Sequence, residues 1–234
     1  MVTSTSWISL LTQHRAIAVI RSTHDVVGIK MAKAVAKAGM KLIEITWNSA
    51  SAASQIQQLR NELPYCTIGA GTILTLEHLD EAIASGAQFV FTPHVNTALI
   101  DRAASQNIPI IPGAFSPTEI VTAWQAGAPS VKIFPVEAVG GVNYIRSLQG
   151  PLGHIPMIPT GGVTIQNAGQ FIEAGAIAVG LSSQLFPNQA IATRDWELIT
   201  RRTQTLLQNV SHRGSQGSTQ GASSRRPYRT VDGQ

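Results

Sequence analysis

The chain has 234 residues, 44% of them hydrophobic, a formal net charge of +4 and a single cysteine, Cys66. That length suits one α/β barrel, which takes roughly 250 residues. One cysteine excludes a disulfide framework, and the absence of any apolar run near the roughly 20 residues of a membrane span excludes a helical membrane anchor. The N-terminal MVTSTSWISLLTQHR has no basic region ahead of an apolar core, so a cytoplasmic location is expected. The positive charge does not point to nucleic acid. Four arginines against one aspartate fall in SHRGSQGSTQGASSRRPYRTVDGQ, residues 211–234, a Ser/Gly/Gln-rich segment expected to form a disordered basic tail beyond a single domain spanning 1–210.

After an amphipathic piece around Trp7 to Gln13, short apolar runs alternate with longer helical ones. The strand candidates are AIAVI from Ala16, KLIEIT from Lys41, CTIGA from Cys66, QFVFT from Gln88, IPII from Ile108, SVKIF from Ser130, PMIP from Pro156 and AIAVG from Ala176. The helical segments AKAGM, ASGAQ, WQAGA and IEAGA each end on a glycine suited to a left-handed helix terminus. Eight strands each followed by a helix favour a closed parallel (β/α)8 barrel with an extra N-terminal helix. A flavodoxin-like or Rossmann sheet is the alternative, disfavoured because Arg21-Ser22-Thr23-His24, not GxGxxG, follows the first strand.

Of five lysines, Lys30, Lys33, Lys37 and Lys41 repeat at helical spacing and read as a solvated helix face. Lys132 instead interrupts the apolar PSVKIFP, where a charge is costly unless the amine is neutralised or paired. In KLIEITW, Leu42, Glu44 and Thr46 share one face and Ile43, Ile45 and Trp47 the other, so an inward Glu44 becomes an interior carboxylate near Lys132. A buried ion pair and an imine-forming lysine with a proton-shuttling carboxylate both fit this pattern. The glycine turns Thr160-Gly161-Gly162-Val163 and Gly180-Leu181-Ser182-Ser183 follow the last two strands, where such barrels commonly seat phosphate. The six histidines show no HxH or HExxH spacing, so no metal site is expected, and His94 reads as a surface-loop residue.

The motifs EITWNS, GAGTIL, TPHVN, IPGAFSPTE, VKIFPVEAVGG, PTGGV and GLSSQLF, in order over residues 16–207, resemble the 2-keto-3-deoxy-6-phosphogluconate (KDPG) and 4-hydroxy-2-oxoglutarate (KHG) aldolases. The resemblance implies a class I aldolase, a homotrimer, acting on a small keto acid or sugar-acid phosphate with no cofactor. It implies Lys132 as the imine-forming residue and Glu44 as the proton carrier. Thr72 helps hold the pyruvyl carboxylate, Phe134, Pro93 and Thr160 line the pocket, and Gly161, Gly162 and Ser183 correspond to the phosphate seat, with Ser182 beside them as a substrate-binding candidate where relatives often have glycine. Many family members carry an arginine where this chain has Asn48; Arg21, at the end of the first strand, is expected to replace that clamp, as in the subgroup acting on the galactonate epimer. A phosphate-barrel isomerase, and a non-catalytic scaffold with a polyanion-binding tail, are the readings from other classes.

Overall fold

All eight apolar runs become parallel strands, and a further short strand follows the fifth beyond Pro112. They are β1 (Ala16–Ile20), β2 (Leu42–Thr46), β3 (Thr67–Gly71), β4 (Val90–Phe91), β5 (Ile110–Ile111), β6 (Gly113–Ala114), β7 (Val131–Ile133), β8 (Met157–Pro159) and β9 (Val179–Leu181). The computed structural model describes residues 2–211; the tail expected over 211–234 lies, but for Ser211, outside the described residues. The helices are α1 (Ser4–His14), α2 (Asp25–Lys37), α3 (Ala52–Glu62), α4 (Leu76–Ala84), α5 (Thr97–Ser105), α6 (Pro117–Gln125), α7 (Gly141–Leu152), α8 (Ala168–Glu173), α9 (Asn188–Thr193) and α10 (Trp196–Ser211).

The division at Pro112 has a local cause. Proline has no N–H to give to a ladder, although its carbonyl still accepts from the Lys132 N–H at 2.9 Å. One sheet therefore runs β5-β4-β3-β2-β1-β9 and a second β6-β7-β8. The chain itself joins them at Pro112. At the other seam the Ile177 N–H donates to the Met157 carbonyl at 3.0 Å, and Thr160 pairs in parallel with Gly180. The sheet thus closes on itself, giving the expected barrel and removing the open-sheet alternative.

Alternation along the strands separates two apolar layers. Ile43, Ile45, Val131 and Ile133 point outward into the core between strands and helices. Ile17, Val19, Leu42, Phe89, Phe91, Ile111, Ile158 and Ala178 point into the lumen, where Trp7 and Leu11 of α1 join them. Trp7 is wholly buried, 4.8 Å from the Phe89 ring, and its indole N–H donates to Ser130 Oγ at 3.0 Å. The N-terminal helix therefore seals one end of the lumen and leaves the other for chemistry.

The four glycine stops act as expected: Gly39, Gly86, Gly127 and Gly175 have φ between 91 and 104°, the left-handed region that ends α2, α4, α6 and α8. The lysine face needs one correction. Lys30, Lys33 and Lys37 lie on α2, with Lys33 paired to Glu62 and Lys37 to Glu197. Lys41 lies past the helix, its Nζ 4.9 Å from the Tyr65 ring centroid, because Gly39 has already turned the chain toward β2. Cys66 is buried as expected, its thiol donating to the Met40 carbonyl.

Candidate active site

At the open end of the lumen, a cavity of about 390 Å³ is lined by Arg21, Glu44, Thr72, Pro93, Lys132, Phe134, Thr160, Gly161, Gly162, Ser182 and Ser183. All eleven residues singled out in the sequence thus meet in one place. They come from the C-terminal ends of β1, β2, β3, β7, β8 and β9 and from the loop after β4, which is where parallel barrels assemble their sites. Larger cavities, of about 760 and 700 Å³, lie near the end of α10 and near the start of α2; neither contains a carboxylate facing an amine across a lumen.

Lys132 sits at the centre of β7, paired with Gly113 on one side and Ile158 on the other. Its neighbours in sequence, Val131 and Ile133, take the outward face, so the lysine must point inward and is only 7% exposed. Its Nζ lies 4.5 Å from the Phe134 ring centroid and 5.7 Å from that of Phe91. Burial in this aromatic corner pulls the ammonium well below the ordinary lysine range. The negative charge of Glu44 works against that shift, and the positive charge of Arg21 adds to it.

Glu44 is 2% exposed and lies between Val19 of β1 and Gly69 of β3 in the ladder. Burial raises its carboxyl above the ordinary glutamate range, with Lys132 and Arg21 opposing the rise. For both groups desolvation exceeds charge pairing, so each is driven toward its neutral form. Among the described residues no ion pair joins the two. An amine shifted toward its free form and a carboxyl shifted toward its acid form, facing one cavity, suit carbinolamine formation and dehydration.

The glycine turn after β8 is organised to present N–H groups. The Thr160 and Gly161 carbonyls accept from the N–H groups of Val136 and Glu137, at 3.0 and 3.1 Å, and the Gly162 carbonyl accepts from the Asn167 side chain at 3.4 Å. With the carbonyls engaged on the protein side, the amides are turned the other way. Among the described residues no acceptor takes the N–H of Gly161, Gly162, Ser182 or Ser183. Unspent N–H groups converging at a cavity wall suit an anion. Gly161 and Gly162 have φ of 79 and 97°, a conformation that side chains resist.

On the opposite wall, Thr72 has φ 59°, a left-handed conformation that is unusual for a β-branched residue and costs on the order of 1–3 kcal/mol. Arg21 lies at the rim and is exposed. Asn48 is also exposed but does not line the cavity, and neither does His94. Val19, Thr46, Val163 and Gly180 also line the cavity; Val163 and Gly180 belong to the two glycine turns, whereas the sequence reading gave Val19 and Thr46 no role. Thr46 was within reach of the same argument that found Glu44, since it lies two residues further along the same strand face. Among the described residues no group of three or more His, Cys, Asp and Glu could hold a metal ion, and no helix is long and apolar enough to cross a membrane.

An amine and a carboxyl desolvated together at the mouth of a parallel barrel, facing unspent amides, form a site suited to imine chemistry on an anionic substrate. The family model "Aldolase: KDPG and KHG aldolase" matches residues 8–202. The chain therefore belongs to the KDPG and KHG aldolase family, and it is a class I aldolase, a carbon–carbon lyase. It is 34% identical to the 2-dehydro-3-deoxy-phosphogluconate aldolase of Treponema pallidum, over 78% of this chain and 87% of that one. Its fold superposes with TM-score 0.79 on the KDPG aldolase of Legionella pneumophila, solved with pyruvate captured as a covalent carbinolamine; that protein is 27% identical, with 85% of this chain and 97% of the other covered. A native KDPGal structure is 32% identical with TM-score 0.76, over 83% of this chain and 93% of that one.

Proposed function

We propose that the enzyme cleaves 2-keto-3-deoxy-6-phosphogluconate to pyruvate and glyceraldehyde 3-phosphate, and 4-hydroxy-2-oxoglutarate to pyruvate and glyoxylate. The observation that carries this reading is the pair of buried, oppositely shifted groups, Lys132 and Glu44, facing the amide-lined wall at Gly161, Gly162, Ser182 and Ser183.

The neutral Lys132 amine attacks the C2 carbonyl, and the protonated Glu44 gives its proton to the departing hydroxyl, so water leaves and an iminium remains. The Glu44 carboxylate then takes the proton of the C4 hydroxyl. The C3–C4 bond breaks, its electron pair flows into the iminium to give an enamine, and the aldehyde departs. Glu44 returns its proton to C3, making the methyl group of the pyruvyl imine, and water releases pyruvate and the free amine. Arg21 and Thr72 hold the carboxylate, Pro93, Phe134 and Thr160 shape the pocket, and the glycine and serine amides hold the phosphate. The same enamine results if oxaloacetate loses CO2, so decarboxylation of that acid is a side activity of the site.

Treating the protein with pyruvate and borohydride should add a pyruvyl mass to the peptide containing Lys132; an adduct elsewhere, or none, ends the proposal. A second substrate, the galactonate epimer of the phosphorylated sugar acid, is favoured by one observation: Arg21 lines the cavity while Asn48 does not. Rates of cleavage of the two epimers and of 4-hydroxy-2-oxoglutarate decide among the three. Family membership sets aside the isomerase and scaffold readings. We also carry the homotrimer from the resemblance; sedimentation of the full chain at a single trimeric mass tests it.

A further inference from the structure

The cavity holds a hydroxyl that the mechanism above does not use. Thr46 is buried, 1% exposed, and its Oγ1 lies 3.1 Å from Ser49 Oγ. Ser49 is itself buried and accepts the Ser22 N–H at 3.1 Å. Ser22 is held twice more: its carbonyl accepts the Ala50 N–H at 2.9 Å and its hydroxyl donates to the His24 carbonyl at 2.7 Å. The Ala50 carbonyl in turn accepts from the Gln55 side chain at 2.6 Å. The loop after β1, which carries Arg21, is therefore latched to the loop after β2 through the Ser49 hydroxyl and the Ala50 N–H.

The two hydroxyls can share a proton in either direction. Ser49 Oγ already accepts the Ser22 N–H, and its own proton needs an acceptor; among the described residues Thr46 Oγ1 is the one it meets. With Thr46 as donor the Ser49 proton has no acceptor among the described residues; with Ser49 as donor the Thr46 proton has the cavity before it. The second arrangement is the one that a ligand in the cavity can use. The strand register supplies the setting. Ile20 pairs with Ile45, which puts Arg21 beside Thr46, and Thr46 pairs with Gly71, immediately before Thr72. Arg21, Thr46 and Thr72 thus form an arc across three adjacent strands.

We propose that Thr46 is the central donor of the carboxylate seat between Arg21 and Thr72, and that Ser49 is a positioning residue that aims its proton. This deepens the reading of Arg21 as the carboxylate clamp and rests on it. The ligand is the carboxylate of a 2-oxo acid, and pyruvate is the probe. The test is the pyruvate concentration that half-saturates borohydride trapping at Lys132, measured alongside kcat and thermal melting. Thr46→Val should raise that concentration roughly ten- to a hundredfold, the scale of one hydrogen bond to a charged group, and change kcat less. Ser49→Ala should raise it in the Thr46 background and add nothing to Thr46→Val, while Ser49→Thr, which keeps a hydroxyl, should restore it.

If Arg21→Met raises the half-saturating concentration but Thr46→Val does not, the proposal for Thr46 falls while the clamp reading stands. If Arg21→Met has no effect either, the clamp reading falls and takes the proposal with it. If Ser49→Ala costs the same with and without the Thr46 hydroxyl, Ser49 does not act through Thr46. Should Thr46→Val not fold, Thr46→Ser and Thr46→Ala make the same comparison with and without the hydroxyl.

Discussion

Gly71 and Glu44 face each other so closely that a methyl group on Gly71 would stand only 1.7 Å from Glu44 Oε1. The carboxylate occupies the space that β3 leaves by having no side chain there. Gly71→Ala should therefore displace Glu44 and lower kcat by about 10²-fold or more, the range of a lost general acid–base, with a stability loss of about 1–3 kcal/mol from overpacking. Steady-state cleavage rates and urea melts check both figures; an unchanged kcat would count against Glu44 as proton carrier.

The charges around Lys132 make a signed prediction about pH. The acid limb of the imine-forming rate should lie below the ordinary lysine range, because burial favours the free amine. Arg21 repels a proton on Lys132, so Arg21→Met should move that limb to higher pH. Glu44 attracts one, so Glu44→Gln should move it to lower pH. Because Arg21 is exposed, raising the salt concentration should shift the limb in the same direction as Arg21→Met. Trapping rates measured across pH for the three proteins give the answer.

Lys132 should also cost the fold stability. Its folded pKa lies below the unfolded value, so between the two the unfolded chain holds a proton that the folded one has lost, and the cost to the fold is full below the folded value. That cost fades as pH rises toward the unfolded value near 10.4. Lys132→Met with Glu44→Gln should be inactive yet at least as stable as the natural protein at pH 7, by about 1 kcal/mol; measured against Glu44→Gln alone, which isolates the lysine, the gain should shrink at alkaline pH. Urea midpoints at two pH values test the sign.

The glycine turn after β8 predicts a split between substrates. A methyl group on Gly162 would lie 2.3 Å from Glu137 Cβ, on a backbone at φ 97°. Gly162→Ala should raise KM for phosphorylated substrates by roughly tenfold, the effect of losing about one good hydrogen bond to a charged group. It should leave KM for 4-hydroxy-2-oxoglutarate, which has no phosphate, near its original value. Equal losses on both substrates would show that the turn shapes the whole cavity.

Much of this arrangement was legible in the chain because it depends on local rules. Short apolar runs marked all eight strands, and the glycines at 39, 86, 127 and 175 marked helix ends because their conformation excludes most other residues. Glu44 and Lys132 stood out because a charge in a strand is expensive. Thr46 did not stand out, since a threonine in a strand is ordinary and only its neighbours give it a role. Ser22 and Ser49 were equally silent: their bond joins two loops that are adjacent only once the barrel has closed. The strand beyond the break at Pro112 was hidden because Gly113-Ala114 carries no apolar pattern of its own and shows itself only in its pairing with β7.

That break also gives the barrel two jaws. Glu44 belongs to the six-stranded arc and Lys132 to the three-stranded one, so the spacing of acid and amine is set by the two seams rather than within either sheet. One seam is Pro112; the other is the contact of Thr160 with Gly180, both of which line the cavity. Thr160 and Gly180 thus stand at once in the wall of the cavity and in the seam between the two arcs.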